Sequence, residues 1–354
     1  MLVTKNSSDS EPLRWDIVDD LLHLREWGTT RIYPLPPGRG AAIIGAARNA
    51  WLRITAPSGR IAEELARLVR TRGSWTVQDL HTSGGVRLDG AIHSVGSLSP
   101  GSELEIGGIR LIAESRRLVA LREILTRLIG WAPEHGPEVD LAMRAVRLAA
   151  LYHQPLLICG SDGDVVSAAH LLHRQTLGAE RPFIVCHRRR PRSLVPRQAI
   201  VIHDPRKALK AATGGTLCMW RGSQLDKLAA SVQWPVLQAQ LVVCTRQRTD
   251  ILHTSPLVIP PPRKRAGELH RIIEEYLVDA CAEYGGMILP ADREWIRRFY
   301  GKTLARIEFA ARRIVALRSN GGSITRTARL LGMAHSALSQ WVARRNIPDL
   351  IVDG

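Results

Sequence analysis

Residues 321–347, GGSITRTARLLGMAHSALSQWVARRNI, hold two short apolar periodicities separated by a single turn. Ile324, Ala328 and Leu331 fall on one face at helical spacing, and Leu338, Trp341 and Val342 repeat the pattern after it. Between them Gly332 and Met333 make the turn, because a residue without a side chain takes the left-handed conformation that ends a helix. His335 and Ser336 open the second helix and Asn346 closes it. Two short helices joined by a three- or four-residue turn containing glycine predict a helix-turn-helix, whose second helix enters the DNA major groove.

Charge supports that reading. No carboxylate lies between Glu308 and Asp349, while Arg312, Arg313, Arg318, Arg326, Arg329, Arg344 and Arg345 all fall inside the interval. A one-signed stretch of this kind is what phosphate neutralisation requires. The whole chain carries a formal net charge of +16, which favours a polyanionic partner. An arginine-rich solvated hairpin, or a helix pair used for dimerisation, fits the same pattern.

The segment resembles the Fis-type helix-turn-helix, whose frame is kept by Gly321, Gly322, Ala328, Leu331, Gly332, Leu338 and Ile347. The resemblance implies a double-stranded DNA partner. It puts base contacts at His335, Ser336, Ala337, Ser339 and Gln340, and phosphate contacts at Arg344 and Arg345, with Arg326 and Arg329 against the backbone. It also implies a homodimer through 303–319, where Leu304, Ile307, Ala311, Ile314 and Val315 line one side of a helix.

At 354 residues and 45% apolar content the chain has room for two or three domains. Its five cysteines are far apart, and four lie in apolar, strand-like runs where cysteine acts as a small buried hydrophobe. His187, His203 and His253 have no metal spacing, so neither metal nor cofactor is expected. The odd cysteine count without a signal peptide suggests a reducing compartment, and no apolar run reaches membrane-spanning length. The expectation is a soluble, cytoplasmic, nucleoid-associated bacterial protein.

Residues 1–19 read as a disordered tail, and 20–114 as many short strands punctuated by turn residues, the pattern of a β-sandwich. Here the chain resembles a forkhead-associated (FHA) domain: Ile44-Gly45, IAEELARLVR at 61–70 and DLHTSGGVRLDG at 79–90 keep the framework. The residues with which that family holds phosphothreonine are replaced. Arginine is Ala46, serine is Ala62, the supporting histidine is Leu65 and asparagine is Gly84, with only Ser83 keeping a hydroxyl. A dianion needs converging charge-assisted donors. A fold retained for packing or protein contact is therefore expected, with no phosphopeptide pocket of the usual kind.

The remainder divides into a helical linker (115–137), an α/β core (138–262), a helical lid (263–302) and the DNA-binding domain (303–354). PLLICGSDGDVVSAAHLLHRQ at 155–175 is a strand, a glycine turn and a helix, and buried-looking strands follow it, as in a parallel sheet. The order resembles the AAA+ domain of NtrC-like, sigma-54-dependent enhancer-binding proteins, with GGTLCMW at 214–220 and IPPPRKRAGELHRIIEEYL at 259–277 as landmarks. The catalytic positions depart from it. Gly160, Gly163 and Ser167 survive in the phosphate loop, yet its lysine is Val166, and Asp162 and Asp164 place negative charge where phosphate would lie. The magnesium and water-activating pair is Trp220 and Arg221. The leading expectation is thus a non-enzymatic transcription regulator of FHA, degenerate AAA+ and helix-turn-helix build. A protein-interaction scaffold is the alternative, followed by an ATP-dependent sigma-54 activator.

Overall fold

The computed structural model describes residues 20–36, 41–54, 62–71, 73–80, 86–152, 154–187, 199–220, 239–246 and 255–348. The N-terminal tail expected over 1–19 lies outside them. One compact unit spans Trp15–Tyr152 and another takes His153–Gly354.

In the first unit, alternation of apolar and polar residues builds two facing sheets. Among the described residues one sheet comprises β1 (Leu21–Glu26), β2 (Ile32–Pro34), β7 (Val86–Leu88), β8 (Ala91–His93), β10 (Glu103–Ile106) and β11 (Ile109–Ser115), in the order β2-β1-β11-β10-β7-β8. The other comprises β3 (Ala41–Gly45), β4 (Leu52–Arg53), β5 (Ala66–Thr71), β6 (Ser74–Asp79) and β9 (Val95–Leu98), in the order β4-β3-β5-β6-β9. Inward residues of both, including Leu24, Ile44, Leu68, Val77, Val86, Leu104 and Leu111, form one core. Strands β8 and β9 carry the weakest sequence signal of the sandwich. Their sequence, AIHSVGSL, has only small or isolated apolar side chains, and Ile92 and Val95 are exposed.

Helices α1 (Arg116–Ile129) and α2 (Gly136–Tyr152) belong to this unit, which corrects the expected linker at 115–137 and the expected start of the α/β core at 138. Buried Arg25 of β1 is the physical reason. Its Nε donates to Glu114 Oε1 at 2.8 Å, and its two terminal nitrogens grasp the Asp140 carboxylate on α2. Asp140 also accepts the Gly28 N–H at 2.6 Å, and Glu114 is met by His23 at 2.9 Å and Arg122 at 3.3 Å. Farther along α2, Arg147 reaches Asp89 and Arg144 reaches Glu103. Every charge taken out of water here has an opposite charge within reach, the condition under which burial is tolerated.

The second unit begins with a parallel sheet. Among the described residues its order is β14-β13-β15-β16-β12-β17, where β12 is Leu156–Cys159, β13 Phe183–Cys186, β14 Ile200–Ile202, β15 Thr216–Trp220, β16 Gln240–Thr245 and β17 Leu257–Val258. The central strands are buried throughout, as expected of strands covered on both faces. Helix α3 (Asp162–Leu177) follows β12, and the short α4 (Pro205–Ala211) precedes β15. From β12 the chain moves to one side of the sheet, and it later crosses to β17 on the other. The C-terminal end of β12 is therefore a topological switch point, the place where open α/β sheets bind ligands.

Helices α5 (Leu269–Tyr284), α6 (Pro290–Tyr300), α7 (Leu304–Ser319), α8 (Ile324–Leu331) and α9 (His335–Ala343) complete the unit. Helix α7 is its axis. Leu304, Ile307, Ala311, Ile314 and Val315 are all buried, packed among α5, α6, α8 and α3 of the same chain. The homodimer surface expected through 303–319 is thus corrected, since its apolar face already has an intramolecular partner. Residues on both sides of the expected 302/303 boundary belong to the same compact unit.

Candidate functional site

Helices α8 and α9 form where local chemistry places them. Ser323 caps α8 by accepting the Arg326 N–H, and Thr327, fully buried, donates its hydroxyl to the Ala316 carbonyl of α7 at 3.3 Å. At the far end Gly332 adopts φ +59°, while the Gly332 and Met333 N–H groups return to the carbonyls of Arg329 and Ala328. That pair of bonds closes a helix around a left-handed residue, which glycine takes without strain. Helix α9 then starts at His335 and ends at Ala343, short of the expected Asn346. Leu338 and Trp341 face inward, and His335, Ser336, Ala337 and Gln340 are exposed, with Ser339 half-buried.

The arginines of this region divide into two groups. Arg312 is bonded to Tyr284 and Glu283, and Arg318 to Asp292 and the Pro348 carbonyl. Both are engaged by carboxylates distant in sequence, so the one-signed stretch is partly neutralised in three dimensions. Arg326, Arg329 and Arg344 are exposed, and none of them takes part in an ion pair among the described residues. Arg345 is half-buried, its guanidinium over the rings of Trp341 and Tyr300, and one of its N–H groups donates to the Trp341 carbonyl.

At the switch point, the positions that the AAA+ resemblance gives to the end of a phosphate loop are buried, while Gly160 and Gly163 are half-buried. Val165 and Val166 are buried, as is Ser167. The Asp164 carboxylate, buried too, accepts the Ala305 N–H of α7 at 2.8 Å and so caps a helix 141 residues away. Burial raises this carboxyl above its usual range, outweighing the hydrogen bonds from Ala305, Ser161 and Leu304 that lower it. A Cβ on Gly163 would lie 2.9 Å from the Ala305 side chain. The first turn of α7 therefore packs closely on this loop, and the Asp164 carboxylate is spent on an α7 amide. Trp220 is buried edge-on to His187, and Arg221 lies outside the described residues.

Other reactive groups are structural. Cys159, Cys186, Cys218 and Cys244 are buried strand residues; burial pushes the Cys186 thiol up to about 11 and that of Cys244 well above the usual value. Such thiols are poor nucleophiles at neutral pH. His173 is buried between Thr216 and the Arg181 carbonyl. Among the described residues no group of three or more His, Cys, Asp or Glu is arranged to hold a metal ion, and no helix is long and apolar enough to cross a membrane.

On the sandwich, Ala46 and Ala62 are neighbours, the Ala46 N–H donating to the Ala62 carbonyl at 3.1 Å. The two positions that the FHA frame gives to arginine and serine are thus brought together, as methyl groups. Leu65 is buried in the core, while Ser83 and Gly84 lie outside the described residues.

No protein-family model matches the chain, and no curated protein matches it. Among solved structures the N-terminal sandwich is similar to FHA domains. One, from a study of phosphothreonine-dependent FHA interactions, is 21% identical, covers 26% of this chain and 94% of its own, and has a TM-score of 0.24. Mycobacterium tuberculosis EmbR, solved with a low-affinity phosphopeptide, is 23% identical over 27% of this chain and 24% of its own, also at 0.24. An FHA domain from Chlamydia trachomatis is 19% identical over 27% of this chain and 95% of its own, with the same score.

Proposed function

We propose that the chain is a non-enzymatic adaptor in transcriptional regulation, which meets a protein through its FHA-like sandwich and double-stranded DNA through α8 and α9. The protein-contact half rests on a sandwich that keeps the FHA framework in its sequence. Named FHA domains bind phosphothreonine and phosphopeptides, and this chain retains the framework without their arginine. Ala46 and Ala62 fit a partner recognised by surface shape better than a phosphate dianion held by converging donors.

The DNA-binding half rests on one observation: the contacting helices α8 and α9 carry exposed Arg326, Arg329 and Arg344, none of them ion-paired among the described residues. In this reading the α/β core, of AAA+ ancestry, serves as support. Buried Val166 and the Asp164–Ala305 bond are hard to reconcile with a bound nucleoside triphosphate. The test pairs a gel shift on genomic fragments with affinity capture by the isolated sandwich surface, comparing the chain with R326M/R329M/R344M. Loss of the shift with partner capture intact is the expected result. Capture without any shift in the unaltered chain leaves a pure scaffold, and steady-state phosphate release from ATP would end the non-enzymatic reading.

A further inference from the structure

Trp341 of α9 stands in an aromatic cluster with Trp295, Tyr300 and Phe309, their ring centroids 5.9, 6.3 and 6.4 Å from its own. Two guanidiniums share this ring: that of Arg313 lies 5.0 Å from its centroid and that of Arg345 5.4 Å. Arg313 also sits 3.5 Å over Phe309, and Arg345 5.8 Å over Tyr300. Among the described residues Arg313 has no hydrogen-bond or ion-pair partner, and no carboxylate approaches either group. The Tyr300 hydroxyl and the Trp341 Nε1–H, on side chains 4% and 5% exposed, are buried without a hydrogen-bond partner among the described residues. Exposed Arg306 adds a third positive charge near that hydroxyl.

Stacking occupies the faces of a guanidinium and leaves its N–H edge to bond; Arg345 gives one N–H to the Trp341 carbonyl, Arg313 gives none to the described residues, and such a planar edge matches two oxygens of a phosphate. Two like charges drawn out of water against one indole repel each other, and an anion between them reverses the sign of that interaction. We propose that Arg313 and Arg345, held on Trp341 with Tyr300 beneath, form a binding site for a single phosphate group. The source is a phosphodiester of the nucleic acid that α9 meets, or free phosphate. The first rests on the DNA half of the proposed function; the site itself does not. Burial, aided by neighbouring Arg345 and opposed by Tyr300, lowers the Arg313 guanidinium to about 10. It remains charged at neutral pH and lacks a compensating carboxylate.

The test uses the full chain with R313M, R345M, R345K and, as control, R116M on an exposed position of the sandwich unit. Thermal unfolding is followed in inorganic phosphate and in chloride of equal ionic strength, and duplex binding is followed by fluorescence anisotropy across a salt series. In the unaltered chain and R116M, phosphate raises the melting temperature above chloride. In R313M and R345M that difference is lost, duplex affinity falls roughly tenfold and the salt slope drops by about 0.9 for each phosphate contact removed. R345K keeps the charge without the fork and gives an intermediate loss, which guards against misfolding as the cause. Loss of the phosphate response with unchanged duplex binding supports the site and assigns it to free phosphate. A phosphate response in a chain that binds no duplex supports the site while ending the DNA half of the proposed function. If phosphate has no effect on the unaltered chain and the variants bind duplex as it does, the proposal is overturned.

Discussion

Arg25 in the sandwich unit and Arg313 in the helical body are both arginines withdrawn from bulk water, and the chain treats them in opposite ways. Arg25, 1% exposed, is surrounded by Glu114, Asp140 and the Thr29 and Glu26 carbonyls. Arg313 lies against rings and beside another arginine, with no carboxylate among the described residues. Desolvating a cation is costly unless an opposite charge accompanies it. Where a charge assembles the fold, its counterion is internal. A cation left without one among the described residues has a counterion still to meet, which is the condition the proposed phosphate site in the helical body rests on.

The largest expected effect tests the architectural side. D140A leaves Arg25 buried with one of its two hydrogen-bonded carboxylates gone, and breaking a buried pair costs about 3–5 kcal/mol. Native-state hydrogen exchange should show that loss at the β1 and β11 amides, with the α7 amides unchanged. Equal loss in both units would mean that the division of labour is wrong. D164A removes the acceptor for the first turn of α7 and should destabilise its amides by about 2 kcal/mol, the scale of a buried N–H left unsatisfied.

A milder effect comes from acid. Burial raises the Glu114 carboxyl, but His23, Arg25 and Arg122 outweigh it and hold it below the usual range. A carboxyl lowered on folding contributes stability fully above its unfolded value near ~4.3, and that contribution is lost as pH falls through the lower folded value. Acid unfolding of the sandwich unit should therefore be blunted in E114Q, whose stability is lower at neutral pH and changes less below about pH 4. The smallest effect belongs to the exposed rim. R344A should weaken binding to all duplexes alike and reduce the salt slope by about 0.9.

The same contrast explains what could be read from the residues beforehand. The closely spaced short strands over 20–114, and the Gly332, Leu338 and Trp341 signals around α8 and α9, are local and legible in the residues. The docking of α2 was not, because Arg25 and Asp140 are 115 residues apart and no periodicity announces their meeting. Helix α7 misled for a related reason: an apolar face reports that something covers it, without saying whether the cover is α5 of the same chain or a second copy. The carboxylate-free interval correctly marked a basic region. It was silent on Glu283 and Asp292, which engage Arg312 and Arg318 from outside the interval. The stacked pair on Trp341 was only half visible, since Arg345 was expected near phosphate and Arg313 had no assigned role.

The most direct measurement is the affinity of the unaltered full chain for mixed-sequence duplex DNA at low ionic strength, repeated as salt is raised. The account predicts clear binding whose logarithm falls linearly with the logarithm of salt concentration, with a slope reflecting several phosphates neutralised. No detectable binding at the lowest salt, or binding indifferent to salt, would contradict it.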